Sequence, residues 1–425
     1  MRTVPSPCPS PEASRPGLWH HSGFRMLAAA DAVSQVGSQI TMIALPLVAL
    51  LVLHASPAQI GLLTAFETAG FLLVGLPSGV WVDRMRKKPV MVVCDLVRAV
   101  ALGSVPLAYL LDALTLPHLY AAALATGIAT VFFQVAYQSY LPFLVDRDQL
   151  MEGNTKLQVI ATSAEVAGPG AGGLLVRFAG GPFAVFLDAL SFAVSAVFLF
   201  FIKAKEPEPE AARRGLWVEM REGMEFLLRH AVLRLVIASG AIANLFGVAM
   251  MAMLPVFFVD QMGIDAGTFG IVLGASGIGG VLGAMTTGRQ IRLLGEARML
   301  WVNAIGAGLA FLLVPIAAPG WRVLPAALGL GLDAFLIAGW AVASVSLRQR
   351  LTPDALLGRV NATARFLNWG VMPIGAILGG VCAQLTDPRT TLLIAGVGYV
   401  CAALPILLSP LRGMRDLPQA PGVQR

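Results

Sequence analysis

Six acidic side chains sit inside long apolar stretches, where acids are rare. Asp31 is followed at helical spacing by Gln35 and Gln39. Glu67, Glu165, Asp188 and Asp333 lie within four other apolar runs, and Asp95 stands three residues before Arg98. A charge in such surroundings is costly and marks a functional position by default. A carboxylate held away from bulk water can take a proton from one side and hand it to the other, as a proton-coupled transporter requires. For that role the order of candidates is Glu67, Asp31, Glu165, Asp333, Asp188. Each has the alternative of a hydrogen-bonded structural carboxylate between helices. For Asp95 with Arg98, at i, i+3, a structural ion pair is the expectation. Gln35, Gln39, Gln134, Tyr137, Gln138, Asn244 and Asn368 are the polar candidates for a mostly apolar central cavity. Such a lining suits an amphipathic organic molecule better than a sugar or an inorganic ion.

Other chemistries lack their residues. The sequence has no G-x-x-x-x-G-K-[ST] phosphate cradle. It has no H-E-x-x-H or His/Cys cluster for a metal, and no G-x-S-x-G for hydrolysis. No enzyme, cofactor or metal is expected. Cys8, Cys94, Cys382 and Cys401 form no C-x-x-C pair, and three of them lie in apolar runs. They read as small apolar side chains.

The elements that must position these groups are legible from composition. Apolar residues make up 57% of the 425 and charged residues 13%, about half the roughly 25% of soluble proteins. A soluble fold could not cover that much apolar surface; a lipid bilayer can. A spanning helix needs roughly 20 apolar residues. Twelve runs qualify: 24–53, 57–82, 89–111, 117–145, 155–178, 182–202, 232–259, 268–288, 298–317, 321–347, 366–385 and 391–411. The breaks between them carry turn and charge signals such as HASPAQ, DRMRKKP and LTPD. With the N-terminus in the cytoplasm, 26 Lys and Arg residues fall in cytoplasmic segments and three in external loops. That bias predicts cytoplasmic termini at both ends. The net charge of +6 is spread over these breaks and forms no stripe, so nucleic acid is not the expected partner.

Residues 1–23, rich in Pro and Ser, read as a disordered cytoplasmic tail, and 412–425 as a second tail. Residues 24–202 and 232–411 hold six runs each. Between them, 203–231 reads as a cytoplasmic linker. Its Leu216, Met220, Met224 and Leu227 recur at helical spacing, which suggests an amphipathic helix, either on the membrane surface or solvated. A shift of 207 residues superposes Leu144 on Leu351, Asn154 on Asn361, Gly168 on Gly375 and Gly172–Gly173 on Gly379–Gly380. Parallel repeats of six helices, with the substrate path between them, are one transporter architecture. The expected fold is an all-α membrane protein with twelve transmembrane helices in two six-helix pseudo-symmetric bundles.

These residues resemble the major facilitator superfamily. GVWVDRMRKK (Gly79 to Lys88) is similar to its loop signature G-x-x-x-D-R-x-x-R-K. GPGAGG (Gly168 to Gly173) is similar to the glycine signature of exporters that exchange substrate for protons. DLVRA (Asp95 to Ala99) and LPFLVDRDQLMEGN (Leu141 to Asn154) resemble a branch that includes the enterobactin exporter and macrolide efflux proteins. The second half departs from the pattern. Its loop copy keeps Gly283, Gly288, Arg289 and Arg292 without an Asp-Arg pair, and Ala376 stands where Pro169 does in the first.

The resemblance implies a gating loop formed by Gly79, Asp83, Arg84, Arg86 and Lys87. There Asp83 faces the N-terminus of a helix of the other half and latches the cytoplasmic side. Positive-inside topology alone accounts for the basic residues but not for Asp83. Gly168, Pro169, Gly172 and Gly173 would form a tight wall between halves, or serve in ordinary helix packing. The expected function is export of a small amphipathic compound (a drug, antibiotic, siderophore or related metabolite) in exchange for protons. The setting is a prokaryotic inner membrane, with the bilayer as partner and a monomer as the unit. Alternatives are a proton-coupled importer and a lysophospholipid flippase of the same fold.

Overall fold

Short polar and proline signals set where several of the helices begin. The protein is described by a computed structural model covering residues 18–203, 206 and 216–416. The expected terminal tails therefore fall largely outside the described residues, as do 204–205 and 207–215 of the expected linker. The first six long helices are α1 (Ser22–Leu51), α2 (Pro57–Asp83), α3 (Lys87–Leu110), α4 (Leu116–Leu144), α5 (Leu150–Ala179) and α6 (Gly181–Phe201). A shorter α7 (Leu216–Arg229) follows, then α8 (Ala231–Pro255), α9 (Ala266–Leu294), α10 (Glu296–Phe311) and α11 (Leu324–Leu351). The chain ends in α12 (Asp354–Trp369), α13 (Met372–Leu385), α14 (Pro388–Cys401) and α15 (Leu404–Leu407). α2 starts with a capping box: Ser56 accepts from Gln59 N while Gln59 Oε1 accepts from Ser56 N, and Pro57 opens the first turn. Asp265 and Asp387 cap α9 and α14 with their side chains. Gly180, at φ 87, joins α5 to α6 directly, a conformation that glycine takes without strain.

Twelve of these helices or helix pairs are long and apolar enough to cross a bilayer, and no strand occurs among the described residues. Helices suit lipid because each satisfies its own backbone. They form two bundles of six, α1–α6 and α8–α15. The eleventh span starts at Leu356, ten residues before the start expected at Phe366. Arg359 and Arg365 do not end the helix, because each has a partner: Glu222 for Arg359 and α4 glutamines for Arg365. The span instead breaks at Gly370–Val371, just before Pro373, which cannot donate to the preceding turn. The fifth span likewise begins earlier, at Leu150, with Lys156 paired to Glu152 at 2.6 Å.

Residues expected to be tail contribute structure. Leu18 is buried in the first bundle. The Trp19 ring lies 5.7 Å from Phe24 and under the Lys156 ammonium, 4.8 Å away. The apolar stripe of α7 is partly covered by protein: Leu227 is buried against Ile237, Val360 and Ala364. A Cβ on Gly223 would strike the Arg359 carbonyl, and Glu222 pairs with Arg359. The linker helix thus docks on α8 and α12 of the second bundle.

The bundles meet along two seams, α2 with α13 and α5 with α9. Both seams depend on missing side chains. A Cβ on Gly380 would lie 2.9 Å from Gly61 Cα, and one on Gly61 would lie 2.7 Å from Gly380 Cα. A Cβ on Gly173 would lie 2.9 Å from Gly270 Cα. Each copy of the repeated glycine pair therefore sits against the other bundle. Gly168 and Gly172 turn the opposite way and let α1 approach α5, at Gln39 and Ile40. These seams close the face opposite the chain termini. Towards the termini face, Gly79 of α2 and Gly358 of α12 meet nothing within 4 Å.

Gly173→Leu should pry this seam apart. Spin labels at the exposed positions Phe178 and Ile271 should report a longer distance between α5 and α9 than in the parent. An unchanged distance would show that the seam does not depend on backbone approach.

Candidate functional site

The first bundle carries a buried charged cluster. Arg98 on α3 is ion-paired with Asp95 one turn earlier, and both are buried. Ser195 of α6 donates to the other Asp95 oxygen at 2.7 Å. The guanidinium lies between two rings, 4.3 Å from the Phe133 centroid on α4 and 4.2 Å from that of Phe192 on α6. Asp188 is fully buried nearby and accepts from Ser191 at 2.9 Å. Gly37 of α1 makes room for it, since a Cβ there would overlap Asp188 Oδ1 and Ser191. Two carboxylates face one guanidinium, so Asp188 is the acid without a cation of its own. The expected Asp95–Arg98 pair forms, as a joint between α3, α4 and α6.

The remaining carboxylates are dispersed. Asp31 is buried in α1 and accepts from Gln35 Nε2 at 3.5 Å, with Tyr137 of α4 beside it. Glu67 lies where α2 and α4 touch, and its carbonyl would meet a Cβ on Gly127. Its side chain has no hydrogen bond or ion pair among the described residues. Glu165 is exposed in α5, on the turn whose backbone packs on Gly277 of α9. Asp333 lies in the second bundle and lines a cavity of about 310 Å³ with Asn244 and Tyr399. The five therefore do not form one cluster. Gln39 packs against Gly168, and Asn368 against Gly240.

A second cavity, about 330 Å³, lies between α2, α4 and α12 and opens on the termini face. Gly79, Asp83, Gln138, Gly358, Asn361 and Arg365 line it. Asp83 is exposed and has no side-chain partner among the described residues, so the expected latch to the other bundle is not made in this conformation. Arg365 crosses the cavity instead: Nη1 donates to Gln138 Oε1 at 3.1 Å and Nη2 to Gln134 Oε1 at 3.4 Å. Its guanidinium also lies 4.7 Å from the Trp369 ring centroid. Sequence reasoning missed Arg365 because it was assigned to a loop before the eleventh span. Its spacing of four residues from Trp369 was the available signal.

The basic loop divides into two roles. Arg84 and Arg86 are exposed. Lys87 is buried, and its Nζ donates to the carbonyls of Val82, Asp83 and Met85 at 2.9–3.1 Å, which closes the C-terminal end of α2. Glu206 caps the start of α3, accepting from Lys87 N at 2.5 Å and Lys88 N at 2.7 Å. On the closed face Arg177 of α5 donates to Asp265 at 3.1 Å, bridging the two bundles. The Thr268 hydroxyl, then backbone amides and Arg177, hold the Asp265 carboxyl below its ordinary value. Both partners are about half exposed, and such pairs contribute about 0–1 kcal/mol. The glycine seams, not this pair, carry the closure.

Two pseudo-symmetric bundles, with a cleft between them open on one face and walled on the other, define a transporter of the major facilitator type. The chain belongs to the transmembrane secretion effector family, which it matches over residues 17–423. It is 28% identical over 411 residues to the enterobactin exporter EntS of Escherichia coli O1:K1, covering 94% of each chain. It is 27% identical over 417 residues to the enterobactin exporter EntS of Citrobacter koseri, covering 94% of this chain and 95% of the relative. The fold also matches a crystal structure of the nucleoside transporter NupG, with TM-score 0.75, 13% identity, and coverage of 91% and 98%. An inward-facing bacterial homologue of ferroportin matches with TM-score 0.72, 19% identity, and coverage of 91% and 98%. The chain is thus a multi-pass membrane transporter and not an enzyme.

Removing Arg98 should strand Asp95 in the bundle interior. Arg98→Leu is expected to destabilise the protein by about 3–5 kcal/mol, and the double change Asp95→Leu with Arg98→Leu should recover most of that loss. Thermal unfolding of the purified protein measures both. The Asp265 contact has a defined pH window. A lowered carboxyl stabilises the folded contact above its ordinary pKa of 3.8, and that contribution disappears as pH falls through the lowered value. The distance between labels at Phe178 and Ile271 should therefore stay constant from pH 8 to 5. Widening by pH 5 would contradict this assignment.

Proposed function

We propose that the protein exports a small amphipathic organic compound of siderophore type by alternating access, in exchange for protons. The observation that carries this reading is the asymmetry between faces: two glycine seams close one side while Asp83, Gly79 and Gly358 line an open cavity on the other. The names of the relatives matched along 94% of the chain support export and a siderophore cargo.

In this reading the termini face is cytoplasmic, as the 26 basic residues in the sequence segments assigned to the cytoplasm favour, and the protein is in its inward-open state. Closure on the cytoplasmic side brings Asp83 to the first turn of α12, where the helix dipole favours an anion. Arg365 then exchanges its glutamine partners for the cargo or for new contacts. The bundles 24–202 and 232–411 move as two bodies, with the chain at 203–231 as their tether. Glu67 leads the proton carriers because its side chain has no protein partner among the described residues, and Asp31 follows, with Gln35 and Tyr137 beside it. Asp188, the uncompensated acid of the Arg98 cluster, and Glu165 and Asp333 complete the set. Gln35, Gln134 and Gln138 supply hydrogen bonds to polar groups of the cargo.

Inverted membrane vesicles energised by an imposed proton gradient test this directly. Gradient-dependent accumulation of a siderophore, abolished by a protonophore, is the expected result. Glu67→Gln should lower that accumulation at least tenfold while expression stays intact. Accumulation that ignores the gradient would remove proton exchange. Uptake in right-side-out vesicles alone would favour an importer.

A further inference from the structure

The two bundles share a scaffold but fill the same interior position differently. Aligned from their first residues, Lys87 and Glu296, α3 and α10 place Asp95 opposite Ala304 and Arg98 opposite Ala307. The 207-residue repeat places Phe133 opposite Trp340, Phe192 opposite Tyr399 and Ser195 opposite Ala402. In the first bundle this position is occupied by the Arg98 guanidinium between Phe133 and Phe192. In the second bundle the charged pair and the serine are three alanines, and a cavity of about 310 Å³ takes their place. Ala304, Ala307 and Ala402 all line it, as do both aromatic rings, Trp340 and Tyr399.

The cavity also retains polar atoms with nothing to bind. Asp333 Oδ1, Trp340 Nε1 and Ser239 Oγ are withdrawn from solvent and have no hydrogen-bond partner, and all three residues line this cavity. Buried polar atoms in proteins are almost always paired, so three orphans on side chains that line one cavity call for a ligand or water. The walls are otherwise mostly apolar. A carboxylate and two aromatic rings lining one cavity select a cation, by ion pairing and by attraction to the ring faces. The indole N–H adds a donor for an acceptor atom on the same molecule.

We propose that this cavity binds the guanidinium or ammonium group of a small amphipathic cation. The group takes the place that Arg98 fills in the first bundle, with Asp333 as counter-ion and Trp340 and Tyr399 as its aromatic walls. The site goes beyond siderophore export and does not depend on that reading. A cavity of this volume, at the lower end of the usual range for ligand pockets, accommodates a single ring bearing one charged group.

Calorimetric titration of the purified, full-length protein with phenylguanidinium, and with its neutral isostere phenylurea, tests the assignment. The parent should bind phenylguanidinium at least tenfold more tightly than phenylurea. Asp333→Asn, which preserves shape, should remove that preference, and Asp333→Glu should retain part of it. Ala307→Arg, which supplies an internal guanidinium, should abolish binding of the probe. Equal binding of the two probes by the parent, no binding of phenylguanidinium, or an unchanged preference in Asp333→Asn would each overturn the proposal. Because the readout is binding, a failure of siderophore transport leaves it measurable, and the reverse holds.

Discussion

Lipid tails are as apolar as leucine, so two helices in a bilayer gain little from excluding solvent between them. What holds the bundles of this protein together is the close backbone approach that glycine permits. Gly61 with Gly380 and Gly173 with Gly270 bring α2 onto α13 and α5 onto α9 at the face away from the termini. The other features of the interface follow from this placement. The wall lies at one face, and the cavity around Asp83 and Gly358 lies between the bundles towards the other. The Arg177–Asp265 bridge sits at the edge of the wall, where water weakens it.

The two bundle interiors fill one scaffold differently. In the first, Asp95, Arg98 and Ser195 tie α3 to α6, Phe133 adds α4, and these groups with Asp188 fill their own space. A buried ion pair gives little net stability over well-packed apolar residues, yet breaking it is expensive. Loss of either partner would leave the other charge uncompensated in the bundle interior. In the second, the equivalent positions are small and apolar, and Asp333 faces an open cavity. A filled interior on one side and an unfilled one on the other is a difference that the repeat alone would not suggest.

Much of this was legible in the residues. Twelve apolar runs gave twelve spans, because a helix that satisfies its own backbone is the only open-ended structure that lipid tolerates. The glycine pairs at Gly172–Gly173 and Gly379–Gly380 were visible as a repeat, and each lies on a seam. Boundaries failed where charged residues were taken to end a helix. Arg359, Arg365 and Lys156 continue theirs because each meets a partner. Asp83 and Lys87 were read as one gating unit, but Lys87 is spent on the carbonyls at the end of α2.

Sequence by itself determined the class of this protein: its composition, the spacing of its apolar runs and the repeated glycines follow from local rules of helix formation and lipid solubility. Tertiary structure decided which polar groups meet. Arg365 reaches Gln134 and Gln138 across more than two hundred residues, and Glu206 caps a helix that begins over a hundred residues earlier. Arg98 meets a carboxylate while Asp333 Oδ1 meets no partner. The reason is physical: a side chain's partner depends on helix rotation and on the depth of close contacts, and glycines on distant helices set both.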